Sequence, residues 1–458
     1  MRSMPRVSAL LLIGALVTPA AARAQATDRY RAATDRIIDA ALKDSSAWKR
    51  IAELTDTFGH RISGSTALEQ AIDWTLAKMR ADGLENVRGE PVLVPHWVRG
   101  AESAELLSPR RKPLTMLGLG GSVGTSAAGI SAPVLVVTSF EDLTRRSAEA
   151  KGKIVLFDVP FTEYRQTVRY RTGGATAAAK AGAVAALVRS VASFSINSPH
   201  TGNMRYDSTT RRIPIAALSV EDALLLHRMQ DRGQDVRVRL RMSARMLPDA
   251  PSRNIVAELR GRERPDEVVV FGGHIDSWDV GQGAMDDAGG VVAAWEAVRL
   301  LKALGLRPRR TIRVVGWTNE ENGTRGGTGY LAAHRGEVDQ HVFALESDNG
   351  VFRPKGLAVV GIDSALAMLR RIAPLLARIG ADSVIRGEGE ADIGPLLTAG
   401  VPGAGLEVEQ SRYFWYHHTD GDTPDKLDPV DVARCVAVMA VYAYVIAEMP
   451  EVLPRTAR

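Results

Sequence analysis

Residues 268–287, VVVFGGHIDSWDVGQGAMDD, constrain this chain more than any other stretch. Val268 to Phe271 are β-branched or apolar and read as a buried strand, which stops at two glycines and delivers His274, Ile275 and Asp276 at its end. Side chains two apart share a face of an extended backbone, so His274 and Asp276 point the same way. A carboxylate behind an imidazole fixes its tautomer and leaves the other ring nitrogen for a metal. Asp286 and Asp287 come next, ahead of Ala288, Gly289, Gly290 and an apolar helical pattern that runs to about Leu304. An aspartate at a helix start can be simply an N-cap. That reading leaves His274 and Asp276, at the same end of the same unit, without a purpose.

The N-terminus carries a different pattern. Residues 1–24 place Arg2 and Arg6 before an apolar stretch from Val7 to Val17 and end in Ala22, Arg23 and Ala24. This is the order of a secretory signal peptide, with a hydrophobic region too short to span a bilayer. The mature chain is expected to begin near Gln25, to be exported to a periplasm or secreted, and to make no stable membrane insertion after cleavage. Loss of the leader takes the formal net charge from +5 to about +2, and no nucleic-acid footprint remains. The single cysteine, Cys435, cannot form an intramolecular disulfide, so stability must come from packing. It sits in a helical pattern from Val430 to Ile446 and reads as a buried small hydrophobe.

The chain beyond the leader is too long for one core. Residues 25–112 begin with helical patterns, among them ALEQAIDWTLAKMRADG, and continue into strand-like segments; residues 113–247 change to short β runs around one alanine-rich helical pattern, GGATAAAKAG. This middle stretch has no cluster of histidines and carboxylates and reads as an insertion. Residues 248–458 alternate strand and helix, with a helix expected near 326–335 and another from Ser364 to Ile379, which argues an α/β sheet with helices on both faces.

Open α/β sheets hold their ligands beyond the carboxyl ends of the strands. In this second half TIRVVGWT is followed by Asn319, Glu320, Glu321 and Asn322, HVFALES by Asp348, and GLEVE with an aromatic run by His417, His418, Thr419 and Asp422. Imidazoles and carboxylates without thiolate suit zinc, manganese or cobalt, whereas calcium would favour oxygen alone. One zinc needs three protein ligands, which His274, His418 and one acid would satisfy. Two metals need a shared carboxylate, and the inventory extends to that. If Asp286 bridges, His274 with Asp348 completes one site and His418 with Glu321 the other. Glu320 is then free to act as a base, taking a proton from water and returning it to a leaving amine.

GGHIDSWDVGQGAMDD, WTNEENG, LESD, GEGEADIGP and YHHTDGDT resemble the two-zinc exopeptidases of metallopeptidase family twenty-eight. The resemblance covers nearly all the mature chain. It implies a zinc exopeptidase fold, a mixed sheet between helices, with 113–247 as an inserted α+β protease-associated domain. It implies two zinc ions held by His274, Asp286, Glu321, Asp348 and His418, Glu320 as catalytic base with Asp276 behind His274, and a metal-bridging hydroxide as nucleophile. It further implies a cis peptide after Asp286, a homodimer, and dipeptides or short peptides with an unblocked N-terminus as substrates. Asp392 resembles a position near the substrate amine, with a capped helix start as the alternative. His417 is expected as a pocket wall, and Glu346 competes with Asp348 as a ligand. Arg61, Gly64 and Ser65 match a stretch leading into the pocket, or form only a turn. The other class of function considered is a metal-free receptor or peptide-binding protein on the same fold. Retention of every ligand and of the base argues against it.

Overall fold

Four strands of the second half lie side by side and run the same way. Arg264–His274 is central, Arg310–Trp317 and His341–Glu346 flank it in parallel, and Gly403–Val408 is parallel to the latter. The computed structural model describes residues 19–456, so the expected leader at 1–24 falls mostly outside the described residues. Antiparallel strands Arg245–Leu259 and Glu85–Val98 extend one edge. Pro354–Val360, antiparallel to Gly403–Val408, and then Ser383–Arg386 complete a mixed eight-stranded sheet. Both faces are covered. Val269 and Phe271 enter the larger core with Trp295 and Met439, whereas Val268 and Val270 enter a smaller one with Trp317, Tyr330 and Leu396. A strand buried on both sides has no polar face to show, which is why VVVF is an unbroken apolar run.

Helix Gly289–Ala303 comes directly after the Asp286–Asp287 pair and is buried almost throughout. It packs against helix Pro429–Glu448, which has the length and composition of a membrane span but buries 78% of that window inside the protein. Cys435 lies in this buried helix, its thiol donating to the Phe352 carbonyl at 3.1 Å. The helix expected from Ser364 to Ile379 is α-helical over Asp363–Ile372 and continues as a 3-10 helix over Ala373–Ile379. Pro374, lacking an N–H, cannot continue the α-helical ladder there.

Ser65 is a helix cap rather than only part of a turn. Its hydroxyl accepts from the Leu68 N–H at 3.1 Å and starts helix Thr66–Ala81. Ser65→Ala is expected to lower unfolding stability by about 1 kcal/mol, read from denaturant midpoints at unchanged m-value.

A second eight-stranded sheet is built from the middle of the chain, with Ile130–Val137, Ile154–Phe157, Ala185–Arg189 and Ile215–Leu218 parallel in order. Glu102–Ser108 pairs with Arg237–Met242 in it, so this unit reaches back past residue 113. The alanine-rich pattern belongs to helix Tyr164–Lys180, but it is not alone: Val220–Asp231 is also helical, with the Ser219 hydroxyl accepting from the Asp222 N–H. Its buried apolar residues, Ala223, Leu226 and Met229, recur every third position behind a capping serine, a signal present in the sequence.

Candidate metal centre

The loops leaving the four parallel strands converge. His274 ends its own strand, Glu320 and Glu321 lie just past Trp317, Asp348 just past Glu346, and His418 beyond the short helix Tyr413–Tyr416. Asp286 comes from the loop that returns to helix Gly289–Ala303, and the Asp286–Asp287 peptide is cis, as the resemblance implies. The capping role falls to Asp287, whose carboxylate accepts from the Gly290 N–H at 2.9 Å and the His274 N–H at 3.0 Å. Asp286 is thereby left for the site.

Its two oxygens face opposite ways. Asp286 Oδ1 is 3.1 Å from His274 Nε2, which is also 3.2 Å from Asp348 Oδ1. Asp286 Oδ2 is 3.3 Å from His418 Nε2, which is 3.1 Å from Glu321 Oε2. Two groups of one imidazole and one carboxylate therefore share Asp286. Asp286 Oδ2 is buried without a hydrogen-bond partner, a costly state for a carboxylate oxygen unless a cation meets it.

The electrostatics point the same way. Burial alone would depress both histidines, yet Glu321 and Asp286 raise His418 to about 9, and Asp348 and Asp286 raise His274 well above its usual value. Burial, reinforced by the Asp286 charge, pushes Glu321 up to about 7. The carboxylates thus draw protons onto their neighbours because they lack positive charge, which divalent cations supply without protonation. The residues present fit a metal pair. Burial and then the Asp348 charge hold the Glu320 carboxyl well above the usual carboxylate range.

The support around these groups was only partly legible. Asp276 lies behind His274, but its backbone carbonyl, 2.9 Å from Nδ1, is nearer than its carboxylate at 3.8 Å. The carboxylate instead accepts the Glu320 and Glu321 N–H groups at 3.1 and 3.4 Å, orienting the segment that presents both acids. Arg61 is fully buried and donates to the carbonyls of Gly59, Ile275, Gln282 and Gly283. Asp422 accepts the N–H groups of Ala284, Met285 and Asp286. Arg61 and Asp422 together pin the loop that carries Asp286. The insertion reaches the site too: the Thr201 carbonyl is 3.3 Å from His418 Nδ1, where it accepts that N–H when Nε2 holds a metal.

A cavity of about 390 Å³ opens over the cluster. Its walls include Glu320, Glu390, Tyr413 and His417 from the large sheet and Tyr164, Arg165 and Arg171 from the insertion. His417 stacks on His418 with ring centroids 3.5 Å apart and is 3.7 Å from Asp286 Oδ2, in keeping with a pocket wall. Asp392 is buried, accepting from the Gly327 N–H at 3.2 Å, and is not among the residues that line the cavity, whereas Glu390 is. Glu346 also turns away, its Oε2 accepting the N–H groups of Asp392 and Ile393. Tyr164 and Arg171 escaped the sequence reading because nothing in the insertion marks them as neighbours of His418.

The chain is similar to known proteins along most of its length. Residues 254–443 match Peptidase family M28 and residues 122–226 match the PA domain. Carboxypeptidase Q of Xenopus laevis is 48% identical over 429 residues, covering 93% of this chain and 92% of that protein. The Homo sapiens carboxypeptidase Q is 48% identical over 411 residues, covering 90% and 87%. Among solved structures, a Peptidase M28 precursor from Shewanella amazonensis SB2B superposes with a TM-score of 0.90 at 35% identity, covering 94% of this chain and 100% of that one. The fold is shared with BSAP, a zinc aminopeptidase from Bacillus subtilis, at a TM-score of 0.66 and 21% identity over 89% of this chain and 96% of that one.

Proposed function

The chain belongs to peptidase family M28 and is a zinc metallopeptidase with an inserted PA domain, and from that premise we propose that it is an exported two-zinc exopeptidase of dipeptides and short peptides with a free N-terminus. The observation that carries the two-metal reading is the placement of Asp286, one oxygen toward His274 and the other toward His418. His274, Asp348 and Asp286 would hold one zinc, and His418, Glu321 and Asp286 the other. Divalent cations in these positions supply Lewis acidity toward the scissile carbonyl and acidify the attacking water.

The chain's own groups do the rest. Glu320, on the cavity wall, takes a proton from the attacking water and hands it to the departing amine nitrogen. Asp276 keeps the Glu320 and Glu321 backbone in register with the metals. Glu390, on the cavity wall near Asp348 and held by the Asn349 amide at 2.9 Å, offers the substrate ammonium an acceptor; burial pushes its carboxyl up to about 8, and a bound ammonium would draw it back toward the charged form. Export rests on the charged, apolar and small-residue order of 1–24. The burial of Pro429–Glu448 in the core supports a protein that is not inserted in a membrane after cleavage.

Elemental analysis of the purified native protein is expected to give about two divalent ions per chain. Saturation at one ion with full activity would remove the bridging role of Asp286. Sedimentation is expected to show a homodimer, as the resemblance implies, and a monomer at micromolar concentration would end that expectation.

A further inference from the structure

The two halves of the metal centre are held by different parts of the protein. His274 and Asp348 are fixed by the loops of the large sheet, and among the described residues neither makes a hydrogen bond to the insertion. His418 and Glu321 are held where the insertion meets those loops. Thr201 of the insertion grips His418 at two points: its N–H donates to the His418 carbonyl at 3.0 Å, and its own carbonyl is 3.3 Å from His418 Nδ1. His418 has φ +61°, a left-handed conformation that residues other than glycine keep only where their surroundings impose it, and this grip imposes it.

The insertion reaches Glu321 through Trp278. The Trp278 N–H donates to Glu321 Oε1 at 3.2 Å, and its indole lies 5.6 Å from the His418 ring, centroid to centroid. Trp278 is 2% exposed, and its ring is seated on Gly120 of the insertion, where an added Cβ would come within 1.9 Å of it. Gly120 and Thr201 belong to one seat. Gly120 donates to the Gly202 carbonyl and accepts from the Met204 N–H, both at 3.0 Å, while the Thr201 hydroxyl donates to the Gly118 carbonyl at 2.8 Å. Arg99, at the joint between the two sheets, fastens this seat to the loop that carries Trp278. It donates to both Asp279 oxygens, at 2.5 and 2.8 Å, to the Thr201 hydroxyl at 3.2 Å and to the Gly118 carbonyl. A bidentate pair this well buried fixes geometry as well as charge.

We propose that the inserted domain positions one metal of the two: the seat formed by Gly120 and Thr201 sets the affinity of the site made by His418, Glu321 and Asp286, and leaves the site made by His274, Asp348 and Asp286 unchanged. The assignment rests on the two-metal reading and adds to it which ion depends on the insertion. Gly120 and Thr201 are positioning residues, since neither lines the cavity. They act by holding the two ligands in register, as groups behind metal ligands do.

The test measures zinc affinity by competition with a chromophoric chelator for G120A, T201V and T201S, alone and combined with H274A or H418A, each of which leaves one site intact. In the H274A background G120A and T201V are expected to weaken the remaining ion by about 10-fold or more, and T201S, which keeps the hydroxyl, to restore it. In the H418A background all three are expected to leave the remaining ion unchanged. Without a second substitution, chelator that leaves the wild type with two ions is expected to strip one from G120A. Loss of both ions together or of neither from G120A overturns the assignment, as does equal weakening in the H418A background, which would make the insertion a support of the whole fold. Wild-type protein that saturates at one ion would remove the two-metal reading and this one with it.

Discussion

Glu320→Gln is expected to retain its metals and bind substrate while turning over about 100-fold to 10,000-fold more slowly, the usual worth of general acid–base assistance. The substitution removes one charge and no shape. Glu320 lines the cavity and its N–H is held by Asp276, so the amide stands where the carboxylate stood but cannot accept the proton of the attacking water. Glu321→Gln is expected to fail differently. Glu321 Oε2 faces His418 Nε2 at 3.1 Å, and a neutral amide there is a poorer ligand and would leave the loaded cluster with excess positive charge. Metal content, substrate affinity and turnover, measured on both variants together, separate the two. A metal-depleted Glu320→Gln beside a fully loaded but inactive Glu321→Gln would exchange the roles. A fully active Glu320→Gln would end the mechanism.

Arg61→Met is expected to cost about 3–5 kcal/mol of unfolding stability, the penalty for removing one partner from a buried polar network. Four backbone carbonyls, those of Gly59, Ile275, Gln282 and Gly283, lose the guanidinium as a donor at once, and only that of Gly283 keeps another, the Ala288 N–H. The buried positive charge that faces Asp422, Asp276, Asp287 and Glu321 also disappears; burial pulls the guanidinium down to about 10, and these carboxylates oppose that pull. Arg61→Lys keeps the charge but not the fork of donors, so only part of the loss is expected to return. Denaturant unfolding of the metal-free and metal-loaded forms checks both. The loaded form is expected to lose more, because the loop pinned by Arg61 is the one that presents Asp286. Wild-type stability in Arg61→Met would show that water replaces the guanidinium and that the loop holds itself.

The sequence by itself determined the α/β alternation, the inserted domain and the residues that meet in the site. His274 ends a strand and Glu320, Glu321, Asp348 and His418 come after strands, and parallel strands laid side by side bring their carboxyl ends to one edge. Once the strands are legible, their loops must converge. Local sequence also carried the possibility of a cap at Asp286 and Asp287, but only the folded loop assigned it to Asp287. Glu390 and Asp392 show the same limit: two acids two residues apart, of which the turn puts one on the cavity wall and buries the other against the Gly327 N–H. The supports that hold the site were decided wholly by tertiary structure. Arg61 reaches Ile275 across 214 residues, and Arg171 lies beside His418 across 247. Such contacts leave no periodicity or spacing in the chain. They exist because a buried charge must find its partners wherever folding places them.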